Sequence, residues 1–214
     1  MTLARSWESN EGTAFPPEVA EVLKTGSAFR LEGIRFLLAI PEYKVPIPGG
    51  DRASQTDIMA LAKTLNGLMV MAVEGKVDEH FGPMLSEKKA EQSEGFNLRL
   101  DWLLKQLKLP ATIPGEIRYQ LIHRTASALL IANEYCARHA VMLVHSFSQT
   151  DKGFSDFYAF ASLFDVKAEM GRLLPLGEYN GVDLFIAWCR GDQRFRSYQD
   201  SRLPESAGGV ETER

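Results

Sequence analysis

Hydrophobic and polar positions along this chain change period several times, which predicts a mixture of strands and helices. Two apolar runs of strand length, 57–62 and 68–77, lie on either side of Asn66-Gly67, the strongest short signal for a tight turn. They predict an antiparallel hairpin that turns at Asn66-Gly67. A third run, 140–147, is apolar throughout, as in a central strand that is covered on both faces.

Apolar residues recur every three or four positions in several other segments, which is the period of a helix packed on a core. The predicted helices are 16–24, 98–109, 116–135 and 154–164, and 182–189 is a further predicted strand. The short apolar run 34–40 is either a strand or a loop. The stretch 41–50 is rich in proline and glycine and predicts a loop. The polar stretch 86–95 predicts either an exposed helix or a mobile loop.

The order of these elements predicts one α/β domain, with a central mixed β-sheet flanked by helices, over residues 16–192. A chain of 214 residues is long enough for one sizeable core. The segments 1–15 and 197–214 are expected to be flexible tails.

The composition is that of a globular domain, with 45% hydrophobic and 24% charged residues. No apolar run reaches the roughly 18 residues of a membrane-spanning helix, and residues 1–12 lack the apolar centre of a secretory signal. Cys136 and Cys189 lie in apolar segments and are expected to be buried free thiols in a reducing compartment. The sequence therefore predicts a cytoplasmic protein with no membrane partner.

Charge and motifs narrow the classes of function. The net charge of −4 disfavours a broad nucleic-acid-binding surface, which needs clustered lysine and arginine, although local basic stretches can coexist with it. The sequence contains no Gly-x-Ser-x-Gly, no P-loop and no Gly-x-Gly-x-x-Gly. These absences weaken the serine-hydrolase, nucleoside-triphosphatase and dinucleotide-binding hypotheses.

Three charged residues in the predicted hairpin carry the main functional signal. Glu74 and Lys76 occupy alternate positions of an otherwise apolar strand, so that their side chains share a face. Pairing across the predicted turn places Asp57 roughly opposite Lys76, at the open end of the hairpin. Charges on a buried strand are costly unless a partner charge or a metal ion compensates them.

Two explanations of these three residues are open. Two carboxylates on adjacent strands form an oxygen-donor site suited to Mg²⁺, and Lys76 can assist a water molecule or neutralise a developing phosphate charge. Hydrolysis of a phosphodiester needs these parts. Alternatively, Lys76 forms a cross-strand ion pair with Asp57 at a solvated strand end. Two carboxylates beside one ammonium group carry surplus negative charge, so the metal hypothesis predicts that Glu74→Gln relieves repulsion.

The segments 54–57 (Ser-Gln-Thr-Asp) and 73–76 (Val-Glu-Gly-Lys) resemble the PD-(D/E)xK motif of the restriction-endonuclease-like nuclease superfamily, with threonine in place of the proline. The resemblance covers roughly residues 17–190. The segments 72–82 and 118–127 are also similar to an uncharacterised bacterial family to which this fold is attributed.

The resemblance implies a mixed sheet with flanking helices, in which the Asp and the Glu-x-Lys lie on neighbouring strands. It implies that Asp57 and Glu74 bind Mg²⁺ or Mn²⁺ and that Lys76 assists the attacking water. It also implies a nucleic-acid substrate, with DNA favoured over RNA, and a homodimer, because double-strand cleavage favours two-fold symmetric pairs.

A glutamate from the first helix often joins such metal sites. Glu18 and Glu21 lie three residues apart on the predicted first helix and therefore on one face. Glu21 is the preferred third ligand, and a solvated helix face is the alternative for both residues.

The long predicted helix carries a polar stripe of Gln120, His123, Arg124 and Ser127, which follow helical spacing. The stripe could face the metal site or a phosphate, since arginine binds phosphate oxygens bidentately. It could equally be a helix face that hydrogen-bonds to loops or solvent. Gln120 and Arg124 are the predicted substrate contacts.

Two hypotheses follow from the sequence. The first is a Mg²⁺-dependent nuclease, which requires that the carboxylates of Asp57 and Glu74 come within reach of one cation. The second is a catalytically silent member of the same fold that binds nucleic acid or another protein and keeps its charges for structural reasons.

Overall fold

The computed structural model describes residues 2–26, 31–49, 53–91 and 93–196. Its strands are β1 Arg35–Val45, β2 Ser54–Thr64, β3 Gly67–Lys76, β4 His139–Ser146, β5 Leu173–Tyr179 and β6 Val182–Arg190. Its helices are α1 Thr2–Glu8, α2 Pro17–Lys24, α3 Leu85–Ala90, α4 Glu94–Gln106, α5 Tyr119–Glu134 and α6 Phe154–Ser162. A short 3-10 helix, Gln193–Phe195, follows β6.

The six strands form one mixed sheet in the order β1-β2-β3-β4-β6-β5. The pairs β1–β2, β2–β3 and β5–β6 are antiparallel, whereas β3–β4 and β4–β6 are parallel. Strand β4 is buried along its whole length, as its continuous apolar run predicts. The predicted class, an α/β domain with a central mixed sheet flanked by helices, is confirmed.

Two apolar cores lie on the two faces of this sheet. Val70 and Ala72 of β3 pack with α4, α5 and α6 on one face, whereas Met69, Met71 and Val73 pack with α1 and α2 on the other. Side chains alternate between faces along a strand, so the even-numbered residues that follow Ala72 also turn towards α5. The two charged residues of the Glu-x-Lys segment therefore lie on the α5 face.

The β2–β3 hairpin is present, but its register differs from the prediction. Thr64 pairs with Gly67, so the two turn residues are Leu65 and Asn66 rather than Asn66 and Gly67. The last pair of the ladder is Ile58 with Val73. Asp57 consequently comes level with residue 74 and not with residue 76.

Strand β1 is longer than the prediction, because it continues through Pro41 and ends at Val45, inside the stretch predicted as a loop. Proline removes a backbone donor but is tolerated on an edge strand. Strand β1 pairs only with β2 among the described strands, and Pro41 lies opposite Ile58. Proline therefore does not end this strand.

Strand β5 was not predicted. It forms a hairpin with β6, in which Tyr179 pairs with Val182. The turn residues Asn180 and Gly181 have φ of 53° and 86°, and a type I′ turn requires positive φ at both positions. The Asn-Gly pair is a hairpin signal that sequence reasoning overlooked.

The N-terminal stretch predicted as flexible contains helix α1, and Trp7 is only 5% exposed. The predicted tail from residue 197 lies outside the described residues. Both cysteines are free, but Cys136 is exposed and only Cys189 is buried, so the prediction of two buried thiols was wrong for Cys136.

Candidate functional site

The backbone pairing of β2 with β3 ends at Ile58 and Val73. Beyond this pair, side chains of β2 hydrogen-bond to the backbone of β3. Thr56 Oγ1 donates to the carbonyl of Val73 at 2.9 Å. Asp57 Oδ2 accepts from the backbone N–H of Gly75 at 2.8 Å. The two halves of the sequence motif are thus in direct contact, because Gly75 is the residue between Glu74 and Lys76.

Glu74 lies beneath this contact, between β3 and α5, and is only 4% exposed. Its Oε1 accepts from Lys76 Nζ at 2.9 Å and from Gln120 Nε2 at 2.6 Å. Its Oε2 accepts from Arg124 Nε at 2.6 Å. Three donors on one buried carboxylate hold it in one orientation and compensate its desolvation.

Lys76 is 5% exposed, and its ammonium group also donates to Gln120 Oε1 at 3.1 Å. The same group lies 5.1 Å from the ring centre of Phe81. Its position is therefore fixed by an anion, an amide and an aromatic face.

Two residues of the polar stripe of α5, Gln120 and Arg124, contact Glu74, and Gln120 also contacts Lys76. Gln120 and Arg124 are four residues apart and therefore lie on the same side of the helix. Arg124 also donates from Nη1 to Ser54 Oγ, at 2.8 Å, and so ties α5 to the start of β2.

Arg124 changes the charge balance that the sequence suggested. Asp57 and Glu74 contribute two negative charges, and Lys76 and Arg124 contribute two positive charges. The predicted surplus of negative charge is therefore absent from this group of four residues, and Glu74 is held by attraction.

Asp57 is the carboxylate of this group whose ionised form is disfavoured, so that its pKa is raised. Burial raises its pKa, and the negative charge of Glu74 raises it further. The Gly75 N–H and the charges of Arg124 and Lys76 act in the opposite direction, but the pKa stays above its ordinary value of 3.8. Its Oδ1 has no hydrogen-bond partner among the described residues. A cation beside Asp57 would relieve this cost.

Asp57 opens onto a cleft of about 730 Å³ that is walled by α1, β1 and the ends of β2 and β3. Helix α1 packs closely there, since a Cβ on Gly75 would come within 2.9 Å of the Leu3 side chain. The charged residues that line the cleft are Glu8, Glu42, Asp57, Lys76 and Glu79. Four carboxylates against one lysine make this an acidic cleft.

Helix α1 is anchored to the sheet by a buried histidine. Trp7 Nε1 donates to His145 Nδ1 at 3.2 Å, and His145 Nε2 lies 3.0 Å from Glu18 Oε1. Because Nδ1 accepts from Trp7, the proton of the neutral ring is on Nε2 and is donated to Glu18. Glu18 thus joins α1, α2 and β4.

Glu21, the preferred third metal ligand, lies elsewhere. Its side chain is 69% exposed and pairs with Lys24 on the same helix. The buried residues of α2 belong to the core on the opposite face of the sheet from Glu74. The structure brings together Asp57, Glu74, Lys76, Gln120 and Arg124, but it does not bring Glu21 to them.

A hard divalent cation needs oxygen ligands with free lone pairs. An ionised carboxylate offers about four lone-pair sites, so the three donors on Glu74 leave it one site, on Oε2. Asp57 has one donor. Mg²⁺ takes one or two protein carboxylates and completes its shell with water. In the described part of the chain no group of three or more His, Cys, Asp or Glu residues could hold a metal ion. Asp57 and Glu74 therefore both keep lone pairs that are open to a cation, although Glu74 keeps only one.

Ser54 is the contact residue that sequence reasoning missed. It is 6% exposed and accepts from Arg124, and its Oγ lies 3.0 Å from His123 Nδ1. The available signal was its place three residues before Asp57, inside the motif segment 54–57, together with a strand that begins earlier than the apolar run.

A family model described as a domain of unknown function, DUF6946, matches residues 1–193. The match covers most of the chain, so the protein belongs to this family. No curated protein and no solved structure matches the chain. Over the described residues, no helix has the length and apolar character needed to cross a membrane.

Proposed function

We propose that this protein is a metal-dependent nuclease on a restriction-endonuclease-like fold, which hydrolyses phosphodiesters of nucleic acid, with DNA favoured. The observation that carries the proposal is the contact of Asp57 with the backbone between Glu74 and Lys76. Residues that are 17 or more positions apart in sequence thereby form one charged site at the end of a mixed sheet.

Asp57 and Glu74 would hold Mg²⁺ or Mn²⁺, because all the available ligands are oxygen atoms. The ion, when bound, supplies Lewis-acid activation of the phosphodiester. Lys76 is held 2.9 Å from Glu74, within reach of groups bound at that carboxylate, and is the residue that assists the attacking water. Gln120 and Arg124 orient Glu74, and Gln120 also orients Lys76.

The acidic cleft supports a requirement for metal. A phosphodiester carries a negative charge and would be repelled by the carboxylates of Glu8, Glu42 and Asp57. A divalent cation at Asp57 reverses the local sign and allows a phosphate to approach. The cytoplasmic location and the homodimer stay predictions.

The second candidate is a catalytically silent member of the same fold. The observation that favours it is the saturation of Oε1 and the burial of Glu74, which is paired with both Lys76 and Arg124. Under this hypothesis the four charges form a structural network, and the protein binds nucleic acid or another protein without cleaving it.

A cleavage assay distinguishes the two candidates. Supercoiled plasmid and single-stranded DNA are incubated with the protein in Mg²⁺, in Mn²⁺ and in EDTA, beside Lys76→Ala. The nuclease hypothesis predicts cleavage only with metal and a loss of about 100-fold or more in Lys76→Ala. Lys63→Ala is the matched control, because Lys63 is an exposed lysine on the same hairpin.

The outcome that overturns the nuclease proposal is absence of metal-dependent cleavage by the wild type on both substrates, or equal cleavage by the wild type and Lys76→Ala. Circular dichroism of Lys76→Ala checks its folding. Lys76→Arg keeps the charge and the pairing with Glu74, so it tests the role of the lysine itself if the alanine variant does not fold.

A further inference from the structure

A second pocket lies between the start of β2 and helices α4 and α5, and Arg124, which pairs with Glu74, is one of its lining residues. It has a volume of about 290 Å³. Its lining residues are Ile47, Ala53, Ser54, Gln55, Arg99, Tyr119, His123 and Arg124. We call it the basic pocket, because its two ionised side chains are arginines and no carboxylate lines it among the described residues.

Arg124 forms the floor of the basic pocket and is only 9% exposed. A guanidinium group has five N–H donors. Arg124 uses one on Glu74 and one on Ser54, and the other three have no partner among the described residues. Its Nη2 has no partner among the described residues and is not fully buried, and Arg124 lines the pocket, so the Nη2 donors are available to a ligand there.

Arg99 supplies the second positive charge and is held in place from outside. It donates to the carbonyls of Pro48 and Ile47, at 3.1 and 3.3 Å, and hydrogen-bonds with Tyr119. These contacts fix a long cationic side chain at the pocket wall. An arginine that is already ordered loses less conformational entropy when an anion binds.

His123 does not add a third charge. Burial and the positive charges of Arg124, Arg99 and Lys76 lower the pKa of His123 to about 3, so the ring is neutral at pH 7. Its Nδ1 is engaged with Ser54 Oγ. The pocket therefore offers two fixed guanidinium groups and neutral polar side chains, at a size below that of most sites for drug-sized ligands.

We propose that the basic pocket is a binding site for a phosphate group, in which the free N–H donors of Arg124 and the charge of Arg99 hold the phosphate oxygens. Guanidinium groups match the oxygens of a phosphate bidentately. The source is either free phosphate or the terminal phosphate of a nucleic acid. The inference goes beyond the proposed cleavage, because phosphate binding here needs neither a metal ion nor Asp57.

The test is an NMR titration of the labelled protein with inorganic phosphate, in EDTA and at constant ionic strength. Shift changes are expected at Ser54, Arg99 and Arg124, and Arg99→Gln should weaken phosphate binding about tenfold or more. Arg172→Gln is the matched control, since Arg172 is an exposed arginine on another part of the surface and should leave binding unchanged.

A second pair of variants avoids changing the arginine contacts. Ala53 is exposed at the pocket rim, so Ala53→Glu adds a carboxylate there and Ala53→Gln adds the same volume without the charge. Ala53→Glu should bind phosphate much more weakly than Ala53→Gln. Equal binding by these two variants, or shift changes confined to other regions of the protein, would overturn the proposal.

Two further comparisons separate this site from the nuclease site and identify the source of the phosphate. Asp57→Asn should bind phosphate in EDTA as the wild type does. If the wild type binds phosphate but does not cleave DNA, the phosphate site is supported and only the nuclease proposal fails. Tighter binding of a 5′-phosphorylated oligonucleotide than of its 5′-hydroxyl form assigns the pocket to a nucleic-acid end. Equal binding of the two, with inorganic phosphate still bound, assigns it to free phosphate.

Discussion

The acidic cleft and the basic pocket are connected through one buried carboxylate, because Glu74 pairs with Lys76 of the cleft and with Arg124 of the pocket, and the two spaces differ in the sign of their charge. The cleft is walled by α1 and lined by four carboxylates and Lys76, whereas the pocket is walled by α4 and α5 and lined by two arginines. Negative charge dominates the cleft, and no carboxylate lines the pocket among the described residues. This difference leaves one space suited to a cation and one suited to an anion.

Glu74 and Arg124 link the two spaces through hydrogen bonds. Glu74 binds Lys76 and Gln120 through one oxygen and Arg124 through the other. Arg124 continues to Ser54 at the start of β2. A change at this pair should therefore affect both spaces, while a change at the rim of one space should leave the other intact.

The largest effect is expected from Glu74→Gln. The amide cannot compensate Lys76 and Arg124, which are both buried, so two cations lose their common anion. Breaking a buried ion pair typically costs about 3–5 kcal/mol, and thermal or urea unfolding in EDTA should show a loss of this size. The metal hypothesis predicted an unchanged or slightly raised stability for this variant, because Arg124 was not counted in the charge balance; the structural-pair alternative predicted a loss.

Glu8→Gln is the control for this variant, because Glu8 is an exposed carboxylate at the cleft and should change stability by less than about 0.5 kcal/mol. If Glu74→Gln is as stable as the wild type, Glu74 does not hold the two cations together. The difference in charge between the cleft and the pocket would then come only from the other residues that line them.

The parts of the site that sequence reasoning found are those set by local periodicity. Gln120 and Arg124 share a face because of the helical repeat, and Glu74 and Lys76 share a face because of the strand repeat. The hairpin was identified from its turn signal. The exact pairing was not, because the turn begins one residue earlier than Asn66-Gly67 and this shifts the residue opposite Asp57 by two positions.

The parts that sequence reasoning missed depend on distant contacts or on weak patterns. The basic pocket needs Ser54, Arg99 and Arg124 from three elements, and no spacing in the sequence reveals that they meet. Strand β5 contains a bulge between Pro175 and Gly177, which obscures its alternation. Helix α1 is stabilised by Trp7 and its long-range partner on β4, not by a local pattern.

A smaller effect is expected from Trp7→Phe, which tests whether α1 serves the cleft alone. The ring is kept, but His145 Nδ1 loses its donor in a buried place. An unsatisfied buried acceptor costs about 1–3 kcal/mol. Hydrogen exchange of α1 should accelerate, while phosphate binding at the basic pocket should stay unchanged. Trp102→Phe is the control, since Trp102 packs on the other face of the sheet.

Unchanged exchange in α1 would show that the apolar packing of Trp7 is sufficient to anchor this wall of the cleft. A loss of phosphate binding in Trp7→Phe would contradict the expectation that a change at one space leaves the other intact.

The smallest effect on stability is expected from Asp57→Asn, and its sign depends on pH and on metal. The pKa of Asp57 is raised in the folded state, first by burial and then by Glu74, above its ordinary value of 3.8. Between these two pKa values the folded state binds more protons than the unfolded state, so the stability of the wild type falls as pH rises through this window. The asparagine does not titrate, and its carbonyl still accepts from Gly75. In EDTA, the stability of Asp57→Asn should therefore match that of the wild type below pH 3.8 and exceed it slightly at pH 7, by less than about 1 kcal/mol.

Mn²⁺ should reverse this order of stability at pH 7, because a ligand that binds only the folded wild type stabilises it. Thermal unfolding of both proteins at several pH values, with EDTA and with Mn²⁺, measures both signs. An order that Mn²⁺ leaves unchanged would mean that Asp57 holds no cation, and the acidic cleft would then differ from the basic pocket in charge without being a cation site.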